Sequence, residues 1–232
     1  GIRERKEREK GARREEIINA AERVFFEKGL SAATMDEIAE AAELSKGTLY
    51  LYYKSKEDLY LTVALRGTEF MYALFEDAIA AGSNPIRQLY SLGEAYYAYF
   101  KKHRNYYRMY YYFENPRIHS QVSAEVMEQC RLTEKKVWDL VVGVIQRALD
   151  EGLFRKEIVP IEVGVMLWSN SNGLMRLIDR NEKEWEEERG LDLEGLIRKS
   201  NRLLVEGMMT DQAKSRMPEL VAGISTNEFA KH

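Results

Sequence analysis

The chain of 232 residues has one cysteine, four prolines, three histidines and no long apolar run. Each scarcity excludes something. The lone Cys130 cannot form an internal disulfide, which suits a reducing cytoplasm. His103, His119 and His232 have no partners at metal-ligand spacing, so no metal site is expected. No stretch approaches the roughly 18 apolar residues that span a bilayer. The opening GIRERKEREKGARREE is charged and lacks the apolar core of a secretory signal. A cytoplasmic protein without a membrane partner is therefore expected. No glycine-rich phosphate loop follows a strand pattern, and no nucleophile elbow is present. The abundant carboxylates sit on exposed faces. The chain is accordingly expected not to be an enzyme, with no catalytic residues and no cofactor.

What is present is helical periodicity along nearly the whole length, with 45% hydrophobic residues, ordinary for a globular protein. An all-α fold follows. The formal net charge is −3. Residues 1–56 carry 12 basic and 11 acidic side chains, a net of +1, and the remainder 23 and 27, a net of −4. A nucleic-acid binder with so weak a gradient must concentrate its positive charge on one face. One stretch does so: SKGTLYLYYKSK, Ser45 to Lys56, holds three lysines, three tyrosines and no acid.

Residues 13–28 read RREEIINAAERVFFEK, with Ile17, Ala21, Val24 and Phe25 forming an apolar helical stripe and Gly29 at the C-cap position. Thr34 with Glu37 makes a capping box that opens a short helix at 35, with Met35, Ile38, Ala39 and Ala42 inward. Ser45 caps a second short helix, Lys46 to about Tyr52. Ser55 with Asp58 opens a long helix to about Ala80. Two short helices braced by a longer one form a helix-turn-helix unit. Leu49 and Tyr53 have the inward spacing. Lys46, Gly47, Thr48, Tyr50 and Tyr52 are left for a major groove, with Gly47 allowing close backbone approach. A tyrosine-rich helix could instead be core, but Leu49 and Tyr53 already occupy the inward phase.

The run T-x-x-E-I-A-x-x-A-x-x-S-K-G-T-L-Y-x-Y-Y-x-S-K-E-D-L resembles the N-terminal domain of the TetR family of bacterial transcription repressors, over residues 13–60. The resemblance implies phosphate contacts at Thr34, Tyr52 and Lys56, and groove-facing positions at Ser45, Lys46, Gly47, Thr48 and Tyr50. Position 51, often polar in that family, is Leu here and either touches a thymine methyl or packs. In RERKEREK, Glu4/Arg8 and Arg5/Glu9 stand at i,i+4, as in a solvated helix. An arm reaching the minor groove is the alternative.

Beyond GSNP at 82–85, helices are expected over 86–103, over 117–150, from Pro160 to about Arg180, and over DLEGLIRKSNRLLVEGMM, and the tyrosine-rich RNYYRMYYYFENP meets a stop at Asn115-Pro116. NEKEWEEERG reads as a solvated helix end or loop. Gly164, Ser169, Ser171 and Gly173 would let a neighbouring helix approach closely. With the final long helix they resemble the two-helix surface by which TetR-like proteins dimerise. Ordinary packing within the chain is the plainer reading. Buried tyrosine hydroxyls need partners, which a cavity with a partly polar wall supplies. Tyr96, Phe100, Tyr107, Tyr111 and Trp168 are therefore candidate ligand contacts, with Asn172 as a polar anchor. The expected architecture is a helix-turn-helix head, 1–56, and a helical-bundle ligand-binding and dimerisation domain, 57–232. The expected function is a homodimeric, ligand-responsive repressor. Its partners are a palindromic double-stranded DNA operator and an apolar small-molecule effector, lipid-like, acyl-linked or aromatic. The alternative is a TetR-like DNA-binding dimer whose C-terminal domain docks a protein.

Overall fold

The structure, a computed structural model, describes residues 1–113 and 120–222. Of Tyr111, Tyr112 and Phe113 only the backbone is described. Regular structure among the described residues is helical, apart from one isolated antiparallel bridge between Phe154 and Met209. The long elements are α1 (Ile2–Ala32), α4 (Lys56–Ala81), α5 (Pro85–Lys102), α6 (Arg104–Phe113), α7 (Ala124–Asp150), α8 (Pro160–Lys183) and α9 (Leu193–Met208). Between the first two stand α2 (Met35–Ala41) and α3 (Lys46–Tyr52). A π-helical turn, Glu184–Glu188, follows α8, and short helices α10 (Asp211–Ser215) and α11 (Met217–Leu220) follow α9.

The chain forms two compact units. One holds residues Gly1–Glu69 with His103–Glu134, the other Phe70–Lys102 with the residues from Lys135 onward. In the first, Ile17, Ala20 and Ala21 of α1, Ile38 of α2, Leu49 of α3, and Leu59 and Val63 of α4 are sealed from solvent. Burial of each large aliphatic side chain contributes roughly 1.5–3 kcal/mol. In the second, Ile86, Val144, Ile145, Ala148, Phe154 and Val163 lie at the centre of the core. Gly29 takes φ 72° and ends the regular turns of α1, as its C-cap position predicts; Ala33 N then donates to Gly29 O at 3.2 Å.

The helix expected over 117–150 begins later. Residues 117–119 and the predicted Asn115-Pro116 stop lie outside the described residues. Ser120 to Ser123 are not helical, and α7 starts at Ala124. The cause is a contact distant in sequence. The buried Asp58 carboxylate accepts the Ser123 backbone N–H at 2.6 Å, and Ser55 Oγ donates to Gln121 O at 3.0 Å. Asp58 thus turns away from its own helix start, where its N–H still donates to Ser55 Oγ. The acidic segment after Arg180 is a helix end with no buried residue, as expected, kinked at Asn181.

Helices α1, α4 and α6 are joined by one polar cluster. Arg66 donates to Glu15 Oε2 (2.8 Å), Asn19 Oδ1 (2.8 Å) and Glu22 Oε1 (3.3 Å). Tyr106 donates its hydroxyl to the same Glu22 oxygen. Beside this cluster Gly67 lets α6 lie against α4, since a Cβ at 67 would fall 2.6 Å from Tyr106 Cβ. Alanine would gain about 1 kcal/mol of helix propensity. Overpacking against a fixed Cβ costs about 1–3 kcal/mol. Gly67→Ala should therefore destabilise the first unit by up to about 2 kcal/mol, read by urea unfolding; a stabilised variant would refute the close approach.

Candidate DNA interface and effector contacts

The helix-turn-helix pair is built from local hydrogen bonds. Thr34 caps α2: its Oγ1 accepts from Glu37 N at 3.2 Å, and Glu37 Oε2 accepts from Thr34 N at 3.0 Å. Lys28 of α1 meets the other Glu37 oxygen at 2.7 Å. The Lys28 ammonium, aided by Thr34, holds the Glu37 carboxyl below the usual carboxylate range. The turn passes through Glu43 at φ 55°, a left-handed conformation, and Leu44 N closes back on Ala39 O at 2.9 Å. Ser45 caps α3, accepting from Thr48 N at 3.1 Å, and the two hydroxyls lie 2.8 Å apart.

This geometry sorts α3 into two faces. Leu49 and Tyr53 are buried, as their spacing requires. Ser45, Lys46, Gly47, Tyr50 and Leu51 are exposed, and Thr48 and Tyr52 half-buried. Leu51 does not pack: it is 84% exposed. Gly47 has no reason inside the chain to be glycine. A Cβ there would meet nothing nearer than Ser45 Oγ at 3.9 Å. Lys56 Nζ donates to Ala33 O at 3.0 Å, which sets its ammonium beside Thr34. Thr34 and Lys56 thus share one edge of the pair, while Ser45, Lys46, Gly47 and Tyr50 form the outward face of α3.

One neighbour was not expected. Lys46 Nζ lies 2.7 Å from Asp36 Oδ1 of α2, so a carboxylate does stand at this face, and Asp36 raises the Lys46 pKa. The ten-residue separation across a turn escapes any i,i+4 reading. Both side chains are exposed, and water and salt screen such a pair so that it contributes little. Lys46 can therefore exchange it for another anion.

The candidate effector residues are divided between the two units. Tyr96 of α5 donates to Asn172 Oδ1 of α8 at 2.9 Å, and its ring meets Phe75 edge-on. Phe100 is fully buried, and Trp168 lies edge-on to Trp138 with centroids 6.2 Å apart. These four belong to the second unit. Tyr107 is buried in the first, and the Tyr111 side chain lies outside the described residues. Several tyrosine hydroxyls find partners inside the chain. Tyr97 donates to Glu194 Oε2 at 3.0 Å and Tyr110 to Glu134 Oε1 at 3.2 Å, besides Tyr96 and Tyr106. The sequence reading missed a polar seam between α8 and α9. There Asn170 donates to Ser200 (2.8 Å) and Asn201 (2.9 Å), and Asn201 donates to the buried Ser171 (3.1 Å).

The small residues of α8 divide accordingly. Gly164 is buried under Trp138 and Ser171 faces α9, so both serve packing within the chain. Ser169 and Gly173 are exposed, and Gly173 has open space around it. Val165, Met166 and Leu177 of α8 and Leu203 of α9 are exposed as well. Among the described residues no cluster suited to a metal ion is present, and no helix is long and apolar enough to cross a membrane.

Residues 17–63 match the family description "Bacterial regulatory proteins, tetR family", a span that contains α2, α3 and their capping residues. The chain is 30% identical over 148 residues to the HTH-type transcriptional repressor KstR2 of Mycobacterium tuberculosis, covering 63% of this chain and 72% of that protein. It is also 30% identical over 154 residues to the HTH-type transcriptional activator FasR of Mycolicibacterium smegmatis, covering 66% and 67%. Among solved structures it resembles the transcriptional regulator FadR from Bacillus subtilis in complex with stearoyl-CoA. That likeness has a TM-score of 0.65 and 18% identity, over 83% of this chain and 98% of that one. The capped helix-turn-helix, the family match across it and relatives aligned over two thirds of their length lead to one conclusion: the chain belongs to the tetR family of bacterial transcriptional regulators.

Proposed function

We propose that the protein is a homodimeric repressor that binds a palindromic operator through α3 and is released by a largely apolar small molecule. The observation that carries the DNA half is the outward face of α3. Gly47 stands in the first turn of α3, where glycine is still less favourable than alanine, by at most about 1 kcal/mol. At Gly47 no contact within the chain explains that cost, so the close approach is to something outside it. Beside it Lys46 and Tyr50 are exposed, and the shared edge of Thr34 and Lys56 supports contacts to backbone phosphates. Contacts to phosphate position a protein on DNA, while contacts to base edges specify sequence.

The exposed apolar residues of α8 and α9, with Ser169 and Gly173 among them, support dimerisation through these two helices. A two-fold dimer sets its reading helices on half-sites about 34–36 Å apart. The effector class is drawn from FadR, whose structure holds stearoyl-CoA. In this chain the Tyr96–Asn172 pair supplies a polar anchor beside the apolar Phe75, Phe100 and Trp168. KstR2 supports repression, and FasR is an activator.

The DNA half is tested by selection from random duplexes, which should return an inverted repeat. On that duplex Gly47→Ala should raise the stability of the free protein by up to about 1 kcal/mol. It should nevertheless weaken binding tenfold or more, about 1.4 kcal/mol. Lys56→Ala should weaken selected and unrelated duplexes alike. A Gly47→Ala protein with unchanged DNA affinity would remove the close approach.

The dimer is tested by Gly173→Glu. A carboxylate buried without a partner at a helix contact is strongly destabilising, by about 3–5 kcal/mol. Monomers should appear in sedimentation while helicity is retained. A dimer that persists moves the interface elsewhere.

The effector is tested by titrating stearoyl-CoA calorimetrically into free and DNA-bound protein. Linkage requires the DNA to weaken ligand binding by the same factor as the ligand weakens DNA binding. Equal ligand affinities in the two would exclude induction by this class.

A further inference from the structure

Ahead of Ile17, its first buried residue, every residue of α1 and its cap from Gly1 to Glu16 is exposed, with Glu15 reaching Arg66 of α4. Charge on this stretch is sorted by face. Eighteen residues make five turns of 3.6, so positions 18 apart share a face. Arg3 lies on the face of Ala21, Lys6 on that of Val24 and Lys10 on that of Lys28. Arg13 and Arg14 border the same line, and Glu7 is the one acid beside it. Across the helix, Glu4 lies on the face of Glu22 and Arg8 on that of Phe26.

The packed part of α1 shows where these faces point. Glu22 and Phe26 meet Arg66 of α4 and Tyr106 of α6. Lys28 meets Glu37 of α2 at 2.7 Å. Arg14 stands near Tyr53, the residue that closes α3; burial pushes that phenol up to about 12, and the Arg14 charge opposes the shift. The line of Arg3, Lys6 and Lys10 thus continues the side of α1 turned toward the helix-turn-helix pair. Arg5 and Arg13 are paired with Glu9 and Glu16. Arg3, Lys6 and Lys10 have no ion pair among the described residues.

We propose that this helical extension is a second DNA-contacting element, in which Arg3, Lys6 and Lys10 hold backbone phosphates of the duplex flanking the bases read by α3. The inference rests on the DNA-binding reading above. From Arg14 to Arg3 the helix rises about 17 Å. That is the length of about five base pairs at 3.4 Å each. Three basic side chains on consecutive turns follow a strand of phosphates, release counterions and read no sequence. A helix that was merely solvated would gain nothing from sorting its charges. Here Arg3, Lys6, Lys10 and Arg14 line one side with Arg8 alone left unpaired across the helix, and the lined side is that of the reading helix.

The test uses the full chain and the duplex recovered by selection, in two lengths: ending at the half-sites, and extended by six base pairs on each side. Binding is measured from 50 to 200 mM salt. A variant carrying Arg3→Gln, Lys6→Gln and Lys10→Gln should bind the long duplex at least tenfold more weakly at 100 mM salt. It should lower the slope of log affinity against log salt by about 2–3 per subunit. On the short duplex it should match the parent. A control carrying Arg5→Gln and Arg8→Gln should leave the slope unchanged. An unchanged slope in the triple variant overturns the inference, as does an equal loss in the control. So does a variant that keeps duplex affinity and loses only binding to phosphatidylserine vesicles, which would make the stripe a membrane contact. Failure of the parent to bind either duplex is a separate result and sinks the DNA-binding reading itself.

Discussion

The Arg66 guanidinium is the constraint on which the first unit depends. It sits on α4, is only 19% exposed, and donates to three residues on successive turns of α1. An isolated charge this far from solvent is costly, and breaking such a pair by removing one partner costs more than making it gains. Glu22, itself mostly buried, accepts from Arg66 and from Tyr106 of α6 at one oxygen. A lysine could not replace Arg66 here, because only the planar fork presents donors in several fixed directions at once. Apolar contacts flank the cluster: Phe25 meets Tyr60 at 5.1 Å and Phe26 meets Tyr106 at 5.0 Å, both edge-on. Burial of those rings adds apolar stabilisation, and the polar cluster fixes which turn of α1 faces which turn of α4.

That arrangement bears on how a signal could reach the DNA face. The tyrosine-rich helix α6 belongs to the same compact unit as the helix-turn-helix pair. It touches α1 through Tyr106 and Phe26, and α4 through the close approach at Gly67. Any displacement of α6 is thus applied to α1 and α4 without an intermediary. A ligand shifts such an arrangement only by as much as it favours one position over another. Two discrete seatings of Tyr106 against Gly67 would serve, since a close-packed contact does not deform continuously.

The head was legible in the sequence because its instructions are local. Thr34 with Glu37, and Ser45 ahead of Thr48, are caps three residues apart, and each forms as its spacing requires. Leu49 and Tyr53 declare their inward phase in the same way. What could not be read were contacts between residues distant in sequence. The start of α7 is set by Asp58, 65 residues away from Ser123. The Asp36–Lys46 pair spans a turn whose path depends on Glu43 adopting a left-handed conformation, where glycine would be the usual choice. In α8, Gly164, Ser169, Ser171 and Gly173 look alike as small residues. Only the positions of Trp138 and Asn201 separate those that serve the chain's own packing from those left on the surface. Tyrosine density is ambiguous for a related reason. A hydroxyl's need for a partner is visible in sequence, but whether a carboxylate such as Glu22 or Glu194 meets it is a tertiary fact.

Net charge −3 and a DNA-binding face are reconciled by how the cations of the head are held. Lys46 and Lys28 are matched by carboxylates of α2, and Lys56 by a backbone carbonyl. In the free protein these cations are therefore largely compensated, and the weak overall field draws the chain little toward arbitrary polyanions. In the proposed complex Lys46 would exchange a weak, exposed partner for a base edge or phosphate. Asp36 would then be left near the phosphates, a repulsion that a mis-seated complex would carry without the compensating contact. Positive charge that is paired until the fit is right favours discrimination between sites over raw affinity. The unpaired stripe on the extension of α1 has the complementary property, since phosphate contacts add affinity at every sequence alike.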